Sequence, residues 1–242
     1  MKTKVILLAI LSLGFIFTSC QKDEFDIVPS TNVTTTNFSA SGVSQLDVSN
    51  LFKVYVSFSE TEESVQVEAN ENLHSLIEMS QSGSKLIVGL QRNTSISGAP
   101  VLNVYVKTST IENITAEGAA GVEFENTLNG GRLDLDFSGA STFKGSLNVD
   151  EFISYLNGAS KMSISGNSNS FDVKANGASE MTGFGFQCNS LKADLEGGSN
   201  ISLTVNQKLD VSASGASKIY YKGSGVIENQ VLKDASEIVK MD

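Results

Sequence analysis

FSGASTFKGSLNVDEFISYLNGASKMSIS, residues 137–165, carries the pattern on which the whole chain is built. Gly139-Ala140-Ser141 and Gly158-Ala159-Ser160 stand 19 residues apart, with mostly alternating apolar and polar residues between them. The same corner recurs upstream as Gly118-Ala119-Ala120. Downstream it returns as Gly177-Ala178-Ser179, Gly197-Gly198-Ser199, Gly215-Ala216-Ser217 and Asp234-Ala235-Ser236. The first residues of successive corners are 21, 19, 19, 20, 18 and 19 apart. A period in this range is the signature of stacked supersecondary units.

Aligning the repeats on their corners shows the period-two logic of half-buried strands. Before the corner stand Leu133, Leu135, Phe137; Phe171, Val173, Ala175; Leu191, Ala193, Leu195; and Leu209, Val211, Ala213. Four residues after it stand Val122, Phe143, Met162, Met181, Ile201, Ile219 and Ile238, apolar in every copy. A unit this small cannot bury its own apolar face, whereas neighbours stacked about 4.8 Å apart bury a continuous one. The expected fold is therefore all-β: a right-handed parallel β-helix of about seven rungs, on the order of 30–35 Å long. The corner residues Gly118, Gly139, Gly158, Gly177, Gly197 and Gly215 supply permissive backbone, and Asp234 tolerates the left-handed region. The serines at 141, 160, 179, 199, 217 and 236 should form a vertical ladder, bonding one another or the corner backbone. Lys233, Asp234, Glu237, Lys240 and Asp242 make a charged last rung that should discourage further stacking.

Residues 37–110 read as an N-terminal β-strand region that caps the solenoid of 111–242. Leu46 and Val48, then Val54, Val56 and Phe58, then Val65, Val67 and Ala69 alternate as strands do. Asn72–Met79 breaks that alternation at helical spacing, so a short helical turn is expected there. Residues 20–36 are polar, Thr/Asn-rich and read as a flexible tether.

Residues 1–19 read as a signal peptide, with Lys2 and Lys4 before an apolar run and small residues before Cys20. That arrangement resembles the lipobox of bacterial lipoproteins, which implies that Cys20 is lipidated and anchors the chain to the outer membrane. Lys22-Asp23-Glu24 resembles the short Lys-acidic-acidic signal that exports Bacteroidetes lipoproteins to the cell surface. The net charge of −10 argues against nucleic acid as a partner. Cys188 has no second cysteine in the folded region, so no disulfide framework is expected and a small core residue is the better reading.

VQVEANENLHSLIE (65–78), LIVGLQ (86–91) and the repeated SGAS or NGAS corners resemble the head GIN domain adhesin family. The resemblance spans roughly 38–242 and implies a β-helical fold and a cell-surface interaction role. It offers no catalytic residues to carry over.

The residues themselves point the same way. The sole histidine, His74, lacks a recognisable nucleophile, and no His/Cys cluster has metal spacing. No catalytic residue, metal or cofactor is assigned. Asp134, Asp172, Asp194 and Asp210 should lie on the outside of one sheet, where Lys192 stacks on Asp172 and Asp194 on Lys174. With the tyrosines Tyr155 and Tyr220, and with Tyr221 on a later rung, they form a possible binding face for an extracellular protein or glycan. Two other readings stay open. One is a carbohydrate-active β-helix enzyme, lyase- or hydrolase-like, built on the aspartates. The other is a periplasmic structural or signalling protein that docks a partner.

Overall fold

The computed structural model describes residues 26–242. The sequence before the first Gly-Ala corner forms β1 (Val33–Phe38), β2 (Gln45–Val48), β3 (Lys53–Phe58) and β4 (Ser64–Asn70). A 3₁₀ turn at Glu71–Leu76, which buries Leu73, leads to β5 (Ile77–Ser82), β6 (Lys85–Leu90) and β7 (Leu102–Thr108). That turn is the break in alternation expected near Asn72.

The repeats then give β8 (Asn113–Ala116), β9 (Gly121–Phe124), β10 (Leu128–Phe137), β11 (Thr142–Leu156) and β12 (Lys161–Ala175). They continue through β13 (Glu180–Thr182), β14 (Phe186–Leu195) and β15 (Asn200–Ala213) to β16 (Lys218–Lys222), β17 (Val226–Leu232) and β18 (Glu237–Lys240). Every neighbouring pair within this part is parallel, which makes a β-solenoid of about seven turns. The stacking is nearly in register: Phe143 faces Met162, Met162 faces Met181 and Met181 faces Ile201. In each coil one run follows the corner, a middle run crosses the coil, and a last run leads to the next corner.

Parallel stacking begins earlier in the chain than the first Gly-Ala pair. β2 pairs with β8, and β3 with β9, both in parallel. Asn50, between β2 and β3, takes the corner position with φ 65°, and its carbonyl accepts a hydrogen bond from Ala119 N at 2.8 Å. β6 and β7 then stack on β2 and β3 in the same direction. Beyond them β5 and β4 run antiparallel, and β1 adds antiparallel to β4, so the parallel stack ends there.

The corners work through backbone contact. All six corner glycines have φ between 74° and 82°, and each following N–H donates to the corner carbonyl one coil below, as Ala140 does to Gly118 at 2.7 Å. A Cβ on Gly139 would lie 2.5 Å from the Gly118 carbonyl oxygen, so the close stack itself selects glycine. Asn50 has no such corner below it. Asp234, with φ 58°, takes the same place on the last rung above Gly215, whose carbonyl accepts a hydrogen bond from Ala235 N at 2.8 Å, in the left-handed region that aspartate tolerates. Its carboxylate accepts a hydrogen bond from Gly215 N at 3.1 Å.

The serines bond backbone, not one another. Ser141, Ser160, Ser179 and Ser199 are buried, and each donates to the carbonyl three residues earlier at 2.8–3.0 Å. This closes each corner locally. Ser217 instead donates to the Gly197 carbonyl at 3.3 Å.

The core is a continuous column of inward side chains. Val122, Phe143, Met162, Met181, Ile201 and Ile219 are all buried, as the corner alignment requires, and only Ile238 of the last rung is half-buried. Phe152 and Phe171 stack at 4.6 Å and 8°, with Phe186 edge-on to both. The last rung is less polar than its charges suggested. Glu237 is tied to Lys218 at 3.0 Å, while Val226, Val231 and Leu232 of β17 stand exposed.

Candidate functional site

The outer surface of the after-corner strands carries two columns of side chains set by register. One runs Tyr105, Tyr55, Glu123, Lys144, Ser163 and Thr182; the other runs Asn103, Lys53, Gly121, Thr142, Lys161 and Glu180. In the second column Gly121 has no side chain and Thr142 a short one, between the long side chains of Lys53 and Lys161. The result is a groove of about 440 Å³ across the face of the sheet. Tyr55, Glu123, Lys144 and Lys161 are among the residues that line it.

Local contacts hold its walls in place. Tyr105 stacks on Tyr55 with ring centroids 5.2 Å apart and planes 16° from parallel. Its hydroxyl donates to Glu68 Oε2 at 3.0 Å, and Asn103 donates to the same oxygen at 2.8 Å. Burial, followed by that bond to a carboxylate, raises the Tyr105 phenol above its ordinary value. Glu123 is drawn along the column to Lys144 at 2.6 Å, and Lys161 lies 3.6 Å from Glu180. Lys53 is exposed and makes no ion pair among the described residues.

The aspartates singled out in the sequence lie on the other outer surface, on the strands that lead into the corners. Asp134, Asp172 and Asp210 share one column, with Ile153 and Lys192 interleaved. Asp194 is in the neighbouring column with Asp136, Tyr155 and Lys174, so the expected stacking of Lys192 on Asp172 and of Asp194 on Lys174 is present. Arg132 binds Asp134 at 2.9 Å and Glu151 at 2.7 Å, Lys192 lies 3.9 Å from Asp172, and the Lys174 ammonium lies 5.6 Å from the Tyr155 ring centroid. Tyr220 belongs to the after-corner strands, opposite Ser202, so it does not share a surface with Tyr155 or the aspartates. Tyr221 points into the core and is buried. Alternation along the strand forces that outcome, since neighbours in a strand face opposite ways.

A third outward array went unread in the sequence although it keeps the repeat's spacing of 19 or 20 residues. Asn148 donates to Asn129 at 3.0 Å and Asn167 to Asn148 at 2.7 Å; beside them Asn169 donates to Asp150 at 3.0 Å and Asn189 to Asn169 at 3.2 Å. These amides satisfy one another along the stack, as in other in-register ladders. The Tyr55–Tyr105 platform has no such signal, because 50 residues separate its members and Tyr105, on β7, follows no corner at the repeat's spacing.

His74 is half-buried, with Nε2 3.0 Å from Thr34 Oγ1 and 3.1 Å from the Thr34 carbonyl oxygen. Among the described residues no three His, Cys, Asp or Glu side chains gather as a metal site would need. Cys188 is 1 % exposed, and burial pushes its thiol up to about 12. With Cys20 replaced by alanine, native protein should therefore resist a water-soluble disulfide reagent at pH 8, and unfolding in denaturant should release one reactive thiol. Rapid labelling of native protein would contradict the buried placement. Cys20 and Lys22-Asp23-Glu24 lie outside the described residues.

The comparisons with known proteins follow this geometry. Residues 42–225 match the model of a family described as "Putative auto-transporter adhesin, head GIN domain". The chain belongs to this family. No curated protein matches it in sequence. Among solved structures, a protein from Bacteroides fragilis NCTC 9343, called a "putative adhesin", superposes with a TM-score of 0.83 at 18 % identity, covering 89 % of this chain and 100 % of that one. A "putative adhesin" from Parabacteroides merdae ATCC 43184 gives 0.71 at 16 %, over 90 % and 99 %. A "putative lipid binding protein" from Parabacteroides distasonis ATCC 8503 gives 0.72 at 16 %, over 90 % and 100 %. At these identities the likeness establishes a shared fold, and the head GIN family match establishes membership.

Proposed function

We propose that this head GIN protein is a non-enzymatic adhesin, held by lipid on Cys20 in the outer membrane and displayed at the cell surface. Membership of the adhesin family over 42–225 carries the reading. The Cys20 leader pattern and Lys22-Asp23-Glu24 support the anchor and the address. A long face of regularly spaced side chains suits an extended partner. Two of the outward aspartates have cationic neighbours, Asp134 with Arg132 at 2.9 Å and Asp172 with Lys192 at 3.9 Å, which favours binding or solubility over catalysis.

The test is antibody labelling of intact cells against permeabilised ones, with a Cys20→Ala strain alongside. Strong labelling of intact cells, lost into the periplasmic fraction with Cys20→Ala, is the expected result. Labelling only after permeabilisation would overturn surface display and favour a periplasmic docking role. Screening polysaccharides for new reducing ends or unsaturated products addresses catalysis, and product formation would remove the non-enzymatic assignment.

A further inference from the structure

We propose that the groove over Gly121 and Thr142 binds a saccharide carrying a carboxylate, with Tyr55 as the stacking platform and Lys53 as the carboxylate's partner. The proposal deepens the adhesin reading by naming a ligand class and a site, and it rests on that reading only for its biological setting. Three independent features of the surface converge on it.

The first is shape. Gly121 leaves a gap one rung wide beside Tyr55 and Lys53, and Thr142 extends it to the next rung. Its volume of about 440 Å³ falls in the range of small-molecule sites. Nothing in the folding logic requires the gap. Gly121 has no positive φ, and a Cβ there would meet the Thr142 hydroxyl at 3.0 Å and Lys53 Cγ, at ordinary contact distance, at 3.9 Å. A larger strand residue would fit by rotating that hydroxyl, so the glycine is not demanded by backbone geometry as the corner glycines are.

The second is the aromatic pair. Tyr105 covers one face of Tyr55, and the column continues on the other side to Glu123, whose carboxylate is drawn off to Lys144. The remaining face of Tyr55 is therefore turned along the stack toward Glu123, with the gap at Gly121 diagonally beside it. A half-buried tyrosine ring braced from behind is a rigid platform that costs little entropy on binding, and a pyranose presents an apolar C–H face to it.

The third is charge. The groove sets Lys53, Lys144 and Lys161 against Glu123 and Glu180, a local positive excess on a chain of net charge −10. Lys144 and Lys161 have carboxylate neighbours, while Lys53 makes no ion pair among the described residues. Lys53 stands in the column beside Tyr55, so a ring stacked on Tyr55 puts a ring carboxylate within the lysine's reach. A neutral sugar would leave this ammonium without a partner, and an anionic one supplies it.

The test is calorimetric titration of the full chain, purified from membranes in detergent, with a galacturonate tetramer, a hyaluronan tetramer and sialyllactose. Their carboxyl-reduced counterparts are the controls. At least one acidic saccharide should bind, weakening as salt rises, with the reduced form weaker by about tenfold or more. Tyr55→Ala and Lys53→Gln should each weaken it by about tenfold, while Tyr155→Ala on the other surface should leave it unchanged. Gly121→Phe should fill the gap and abolish binding with the thermal midpoint retained, which separates loss of the site from loss of the fold. No binding to any of the three, equal binding of the reduced forms, or full binding by Gly121→Phe overturns the proposal. Binding in vitro by a protein absent from the surface of intact cells would keep the site and remove the adhesin setting. Surface display without binding would do the reverse.

Discussion

Gly166→Ala should be the most damaging glycine substitution in the chain. Gly166 lies in the interior of β12 with φ 102°, and a Cβ there would stand 2.1 Å from the Leu147 carbonyl oxygen and 2.9 Å from its carbon. Both obstacles are backbone of the adjacent rung, where Leu147 is buried and in register with Gly166 itself. Neither can rotate away as a side chain would, so the two coils must separate locally. The left-handed backbone alone costs an alanine about 1–2 kcal/mol. With the clash added, a loss of about 4 kcal/mol or more is expected, at the top of the range for point substitutions. Gly98→Ala is the matched control: its φ is 81°, yet nothing lies within 4 Å of the added Cβ. That variant should lose only about 1–2 kcal/mol. Chemical denaturation midpoints of the two variants give the comparison. If both lose the same amount, rung-to-rung contact does not restrict residue 166.

The second large effect is expected at Phe152. Its ring is fully buried, stacked on Phe171 at 4.6 Å and met edge-on by Phe186 at 5.7 Å. Truncation to alanine removes the ring from the middle of a column whose neighbours are held by strand pairing above and below, so the cavity cannot collapse. A loss of about 3–5 kcal/mol follows. Phe152→Leu keeps most of the volume and should cost well under half of that. A double-mutant cycle with Phe171→Ala isolates the stacked pair, whose coupling should be about 0.5–1.5 kcal/mol. Additive losses would mean that the rings act only by filling space.

Much of the architecture was legible because stacking makes one environment recur. A residue at Phe143 meets its counterparts at Val122 and Met162, so selection for an apolar side chain acts at the same phase in every coil. The corner glycines were legible for the same reason, each being pressed against the carbonyl of the corner below. Even features that went unread were written in that period. Asn129, Asn148 and Asn167 repeat at 19 residues. Asn50 carries the corner's neighbours, with Leu46 and Val48 before it and Val54 after, but without a glycine to mark it.

By itself, then, the sequence determined the repeat, the inward and outward phase of its strands, the conformation of its corners and the stacking of Lys192 on Asp172. Each of these follows from contacts between a residue and its equivalents one period away. Only the tertiary structure decided that β2 and β3 lie beneath Gly118, 68 residues from Asn50, and that β7 brings Tyr105 against Tyr55. Those juxtapositions depend on how an irregular 59–112 segment returns to the stack, and its register is set by long-range strand pairing that no local periodicity encodes. The groove over Gly121 belongs to this second kind: one wall comes from the repeat and the other from β3, on which the repeat stacks once that segment has returned.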